Sequence, residues 1–132
     1  MAAGIAYDFN NVMTVVRQAT GLLSRYEAVR DATSAYEPLK ISGPESEQMI
    51  TAGRLGSAYA AQKQFRAAIE AFEKMWHRAS LLGDTAAMAY ADVRKCGVHI
   101  DQGLFGAAAQ HCEAATKGLS QAKVSDREER RA

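Results

Sequence analysis

Residues 55–72 read LGSAYAAQKQFRAAIEAF. Small residues at Gly56 and Ala68 stand among large ones at Leu55, Tyr59, Phe65 and Phe72, and the pattern is interrupted only by Gln62-Lys63-Gln64. Glycine and alanine let two backbones approach, and aromatic rings fill the space beside them. Apolar residues recurring every three to four positions on both sides of a short polar break predict two helices joined by a tight turn.

The same logic extends downstream. Residues 46–62 and 65–82 read as one helical hairpin, and residues 84–102 and 105–122 as a second. Gly83-Asp84 divides them, because glycine suits a helix C-terminus and aspartate caps the N-terminus that follows. Gly103 marks the turn inside the second hairpin. The two hairpins align at an offset of 40 residues: Lys63-Gln64-Phe65 lies opposite Gly103-Leu104-Phe105, Ala68 opposite Ala108, Phe72 opposite Cys112 and Met75 opposite Ala115.

Upstream, residues 2–33 read as one long amphipathic helix. Ile5, Phe9, Val12, Val16, Ala19, Leu23 and Tyr26 recur at spacings of four and three, a heptad seam. Val15 and Leu22 widen the apolar face, and a face this broad requires cover. Ile5, Phe9, Val12, Val16, Leu23 and Tyr26 are therefore expected to carry self-association, with a homodimer as one outcome. Residues 34–46, SAYEPLKISGPES, hold both prolines of the chain and read as a linker. The hairpins occupy residues 47–122. Residues 123–132, KVSDREERRA, are charged and lack apolar anchors, and are expected to form a frayed or disordered tail.

Bulk properties bound the class. The chain has 132 residues, room for one domain, and 48% of them are hydrophobic, so a sizeable core is available. A net charge of +1 offers no phosphate-tracking surface, so nucleic acid is not the expected ligand. Cys96 and Cys112 do not make a disulfide framework, and a reducing, cytoplasmic setting is the simpler expectation. The first residues lack the basic and apolar regions of a signal peptide. No apolar run approaches the roughly 20 residues of a membrane span. The expected fold is all-α, about five helices: a long N-terminal helix and two antiparallel hairpins.

On these residues the chain resembles the tetratricopeptide repeat family. Leu55, Gly56, Tyr59, Ala68 and Phe72 stand at signature positions of the first hairpin, and Leu82-Gly83-Asp84 matches a turn of the longer-period members. The second hairpin is a poorer copy: Lys95, Cys96 and His99 stand where Leu, Gly and Tyr are expected, although Gly103, Phe105 and Ala108 match. The resemblance covers about residues 47–122 and implies a protein-binding module rather than an enzyme. By position, the inner helices would line a concave groove with Ile50, Gly53, Ser57 and Ala60, then Tyr90, Val93, Gly97 and Ile100. Ile50, Tyr90, Val93 and Ile100 would be apolar anchors, with Ser57 and His99 as polar contacts. The Lys and Asn residues that grip peptide carboxylates in such grooves are absent, so the implied partner is an amphipathic helix. The opposing reading makes this face core, covered by the chain's own first helix. Two repeats are also fewer than the three or so usually needed for stability, so the helix at 2–33, from this chain or a neighbour, is the expected cap.

Residues 3–16, AGIAYDFNNVMTVV, carry a second resemblance, to the dimerisation and phosphoacceptor helix of sensor histidine kinases. Asp8, Phe9, Asn10 and Asn11 match the box that follows the phosphoacceptor, but Tyr7 stands in place of its histidine. A phenol cannot form the labile phosphoramidate of that chemistry. What the resemblance implies here is an alternative function, a degenerate two-component signalling element that dimerises without accepting phosphate.

No other pattern supports catalysis, and no cofactor is expected. Cys96, His99, His111 and Cys112 invite a zinc reading, but adjacent residues on a helix point about 100° apart, so His111 and Cys112 do not readily face one ion. Both cysteines fall at packing positions and read as small buried hydrophobes. Asp101 does not face His99, two residues away. Arg66 and Glu70 form an i,i+4 pair typical of a solvated face.

Overall fold

Two turns in the middle of the chain repeat one another bond for bond. In the first, Lys63 N–H donates to Ala60 O at 3.0 Å and Gln64 N–H to Tyr59 O at 2.9 Å. In the second, Gly103 N–H donates to Ile100 O at 2.9 Å and Leu104 N–H to His99 O at 2.8 Å. Each bond is displaced from its counterpart by the offset of 40 residues seen in the sequence. Both turns need a left-handed residue: Lys63 has φ 61° and Gly103 has φ 78°. The intervening turn closes with the same pattern, Gly83 N–H donating to Ser80 O at 3.1 Å. Gly83, at φ 69°, ends one helix in the left-handed conformation, with Asp84 N–H donating to Ala79 O at 2.9 Å. The Asp84 side chain then accepts from Ala87 N–H at 3.0 Å, satisfying one of the free amides of the next helix.

The computed structural model describes residues 7–34 and 44–131, with side chains described at 7–27 and 44–122. The fold is all-α, with five helices: α1 (Phe9–Ser34), α2 (Pro44–Ala61), α3 (Phe65–Leu82), α4 (Thr85–Asp101) and α5 (Phe105–Arg131). Among the described residues there is no strand. Most of the linker expected at 34–46 lies outside the described residues, but Pro44 already opens α2, a position where its missing N–H costs nothing.

Two boundaries and the state of the cysteines differ from the sequence reading. Residues 7 and 8 are not helical, so α1 starts at Phe9. Asp8 is the reason: its Oδ1 accepts from Asn11 N–H at 2.8 Å and its carbonyl from Val12 N–H at 3.0 Å, a local cap that begins the helix there. The tail expected to be frayed is helical, since α5 continues to Arg131. KVSDREERR contains neither Gly nor Pro and is rich in helix-forming Glu, Arg and Lys, so nothing in it stops the helix. Cys96 and Cys112, read as free apolar residues, are joined in a disulfide between α4 and α5.

Spatial order differs from chain order. α2 packs on α3, α3 on α4 and α4 on α5, while α1 folds back onto α5 and the edge of α4. The stack therefore runs α2, α3, α4, α5, α1. Its interior is two clusters that share α4. The first gathers Met49, Ala52, Ala68, Phe72, Met75 and Ala79 of α2 and α3 with Ala91 and Val98 of α4. The second gathers Val12, Ala19 and Leu23 of α1 with Ala89 and Cys96 of α4 and Ala108, Cys112 and Leu119 of α5. Ala91 and Val98 lie seven residues apart, two helical turns, and so do Ala89 and Cys96, so each pair presents one face of α4.

Candidate functional site

Three places in this stack bring polar or exposed apolar side chains together: the seat of α1, the α4–α5 contact, and the surface between α2 and α4.

At the first, Val12 is fully buried and Leu23 is 6% exposed, both against the chain's own second hairpin. Val16 and Tyr26 pack on the same cluster. Phe9 is 53% exposed but rests edge-on against Phe105, ring centroids 6.0 Å apart. Tyr7 O–H donates to Glu113 Oε1 at 2.6 Å, tying the start of α1 to α5. That bond, lost if the phenol ionises beside a carboxylate, raises the Tyr7 pKa above its ordinary value. The seam expected to join two copies thus lies inside one chain; Ile5 is outside the described residues. For this seam to link two copies, α1 must leave its own hairpin and dock on another. Apart from Phe9, the exposed residues of α1 among those described, such as Asn10, Thr14, Arg17, Gln18 and Arg25, are polar, as suits a helix that ends a stack.

At the second, a polar stripe runs along α4 beside the disulfide. Asp92 and Lys95, each 7% exposed, form an ion pair at 3.5 Å. His111 Nδ1 lies 3.8 Å from Asp92 Oδ1. The His111 ring stacks on His99, centroids 5.1 Å apart and planes 7° from parallel. His99 also meets Gln102 Oε1 through Nδ1 at 3.1 Å. Partial burial, with the second imidazole as a lesser cause, lowers the His99 pKa below its ordinary 6.5. His99 therefore points into the α4–α5 contact and not into the surface where a partner contact was expected. No group of three or more His, Cys, Asp or Glu among the described residues is placed to hold a metal ion. The adjacency of His111 and Cys112 explains this, since Cys112 turns into the core to meet Cys96 while His111 stays at its edge.

At the third, Ile50 is 45% exposed on α2 and Tyr90 is 36% exposed on α4. Ser57 and Arg94 lie between these helices, with Arg94 Nη2 donating to Ser57 Oγ at 3.2 Å. The Arg94 guanidinium sits over the Phe72 ring, 5.5 Å from its centroid, and its Nε is buried without a hydrogen-bond partner. Val93 and Ile100, expected as anchors on this surface, instead pack on the cluster that holds α1. Of the six residues assigned to partner binding, the structure groups Ile50, Ser57 and Tyr90 around the α2–α4 surface and takes Val93, His99 and Ile100 to other contacts. α1 occupies the side of α4 where Val93 and Ile100 lie, so the reading of this face as self-covered core applies to half of it.

Sequence reasoning passed over Asp92, Lys95 and Arg94. The acid–base spacing of Asp92 and Lys95 was visible, but nothing local says that an i,i+3 pair is buried. Arg94 carried no signal, because its partners Ser57 and Phe72 are distant in sequence.

Comparison of the chain with protein-family models, with curated proteins and with solved structures gives no match in any of the three. No described helix is long and apolar enough to cross a membrane. The site must be argued from its own residues.

Proposed function

We propose that this chain is a non-catalytic protein-binding module, a small adaptor built on two tetratricopeptide-like hairpins, whose partner surface lies between α2 and α4. One observation carries this reading: α1 already covers one side of α4, while Tyr90 on α4 and Ile50 on α2 stay exposed, and Arg94 joins the two helices through Ser57, two turns from Ile50. A rigid surface that offers an aliphatic and an aromatic side chain around polar groups suits recognition of a helical segment. The α4–α5 stripe is a poorer candidate, since its ionic groups already have partners and no nucleophile faces solvent beside them.

The test is capture from native extract by the chain and by an Ile50→Asp, Tyr90→Asp variant. A protein retained by the first and lost from the second, at equal helicity, supports the surface. Capture unaffected by the two changes rejects it. Val93→Asp is not a substitute, because Val93 packs beneath α1 and the change unseats that helix. Val12→Glu is equally unsuitable for testing dimerisation, because Val12 is fully buried within the chain. Light scattering of the unaltered chain reads the oligomeric state directly.

A further inference from the structure

Among the described residues Arg94 has no ion-pair partner. A guanidinium carries five N–H donors in a planar fork. Here Nη2 meets one neutral acceptor, Ser57 Oγ, and Nε is buried with none. Among the described residues no carboxylate lies within ion-pairing distance of it, whereas Lys95, one residue on, has Asp92. The Phe72 face beneath it offers the only other electrostatic compensation seen. Removing charge from water without a paired anion is costly, and a bidentate carboxylate is the partner that guanidinium geometry fits best.

The surroundings extend that fit. Arg94 is partly exposed on α4, one turn from Tyr90, and its partner Ser57 lies two turns from Ile50 on α2. Arg54, one turn before Ser57 on α2, is exposed and has no ion pair among the described residues. Two arginines and two apolar side chains thus fall at register positions around the Ser57–Arg94 contact.

We propose that Arg94 is the anchor of this surface for an acidic side chain, Asp or Glu, on an amphipathic helical segment of a protein partner. The apolar stripe of that segment rests on Ile50 and Tyr90. Its carboxylate takes the outer edge of the Arg94 guanidinium, Nη1 and Nη2, beside Ser57, and a second acid meets Arg54. This rests on the protein-binding reading above and specifies its chemistry. It also replaces the expectation of a purely apolar groove: the Lys and Asn of carboxylate-gripping grooves are absent, and the cation present is an arginine stacked on a core ring.

The test is panning of the whole chain against a displayed library of random 12-residue peptides, followed by titration of the best binder and of the same peptide with each acid changed to Gln. Enrichment of an Asp or Glu beside an aliphatic or aromatic residue is expected. The single Glu→Gln change in the peptide should weaken binding about thirtyfold, as loss of one partner of a buried charge pair does. Arg94→Gln should remove the difference between the acidic and neutral peptides, and affinity for the acidic one should fall as salt rises. The peptide-side change leaves the protein untouched, so the answer does not depend on whether Arg94→Gln folds. Binders that lack acids, or that ignore the Glu→Gln change, overturn the role of Arg94 and leave the protein-binding reading standing if Ile50→Asp abolishes them. A library that yields no binder overturns both.

Discussion

The two hairpins fill the same slot in opposite ways. In the first, Gly56 on α2 faces Phe72 on α3 so closely that a Cβ at Gly56 would stand 2.7 Å from the ring. In the second, the equivalent residues 40 positions on are Cys96 and Cys112, and they are bonded to each other, their Cα atoms 5.7 Å apart. One hairpin is closed by a ring pressed on a glycine, the other by a covalent bridge. Packing of this kind stabilises through burial and shape, whereas a bridge acts chiefly by restricting the unfolded chain. The difference follows the composition of the two clusters. Beside their alanines, the first holds Phe72, Met49, Met75 and Val98, while the second holds Val12, Leu23 and Leu119 with the two cysteines. A cluster with fewer large side chains gains more from a cross-link.

The largest expected break in this comparison is Phe72→Ala. It empties a fully buried site and removes the ring under Arg94, and should cost about 3–5 kcal/mol in urea unfolding. Equal stability of the variant would mean that the Gly56–Phe72 contact does not close the first hairpin. Next is loss of the bridge. A bridge spanning 16 residues contributes about 3 kcal/mol in the loop-entropy account, so Cys96→Ala with Cys112→Ala should lower stability by about that amount. The same loss should appear when the unaltered chain is unfolded with and without a thiol reductant, and the double variant should no longer respond to the reductant.

Smaller effects sharpen the likeness of the two turns. Lys63 holds the left-handed conformation that Gly103 adopts without strain. Lys63→Gly should therefore gain about 0.5–1 kcal/mol, part of the relief being offset by a freer unfolded chain. Gly103→Lys should lose about 1 kcal/mol, and the two midpoints measured together test whether the turns are equivalent.

The smallest effect is a dependence on pH confined to the second hairpin. Because the His99 pKa is lowered in the fold, the unfolded chain binds its proton more readily. Stability should then decline as pH falls through about 6.5 toward the lower folded value, and no such contribution is present well above 6.5. The groups that face His99 set this balance: His111 and Lys95 oppose its charge, while Gln102 and Glu73 favour it. Thermal melts of the chain and of His99→Gln across that range should converge as pH falls.

Much of the fold was legible because its signals are local. Gly83-Asp84 and Gly103 announced their turns through conformations that few other residues adopt, and apolar spacing announced the helices between them. Lys63 gave no such signal, and its turn is marked only by the polar break Gln62-Lys63-Gln64 between two apolar runs. Asp8 falls inside the helix expected at 2–33 because the heptad spacing runs across it from Ile5 to Phe9, although an Asp before an apolar periodic run is itself a start signal. Of the candidate site, Ile50, Ser57 and Tyr90 were reached by position in the repeat. Arg94 was not, because its character comes from what it lacks, a carboxylate, and no single stretch of sequence displays an absent partner.

The sequence by itself determined five helices, the offset that relates the two hairpins and the apolar face of α1, since each follows from hydrogen bonds and side-chain spacing within a few turns of one chain segment. Tertiary structure alone decided that α1 returns to α5 at the far end of the stack, that Cys96 meets Cys112, and that Arg94 lies over Phe72 beside Ser57. Those pairings join residues that are remote in sequence, or in partner helices whose facing is set by packing, and an amphipathic face specifies that it must be covered without specifying by what.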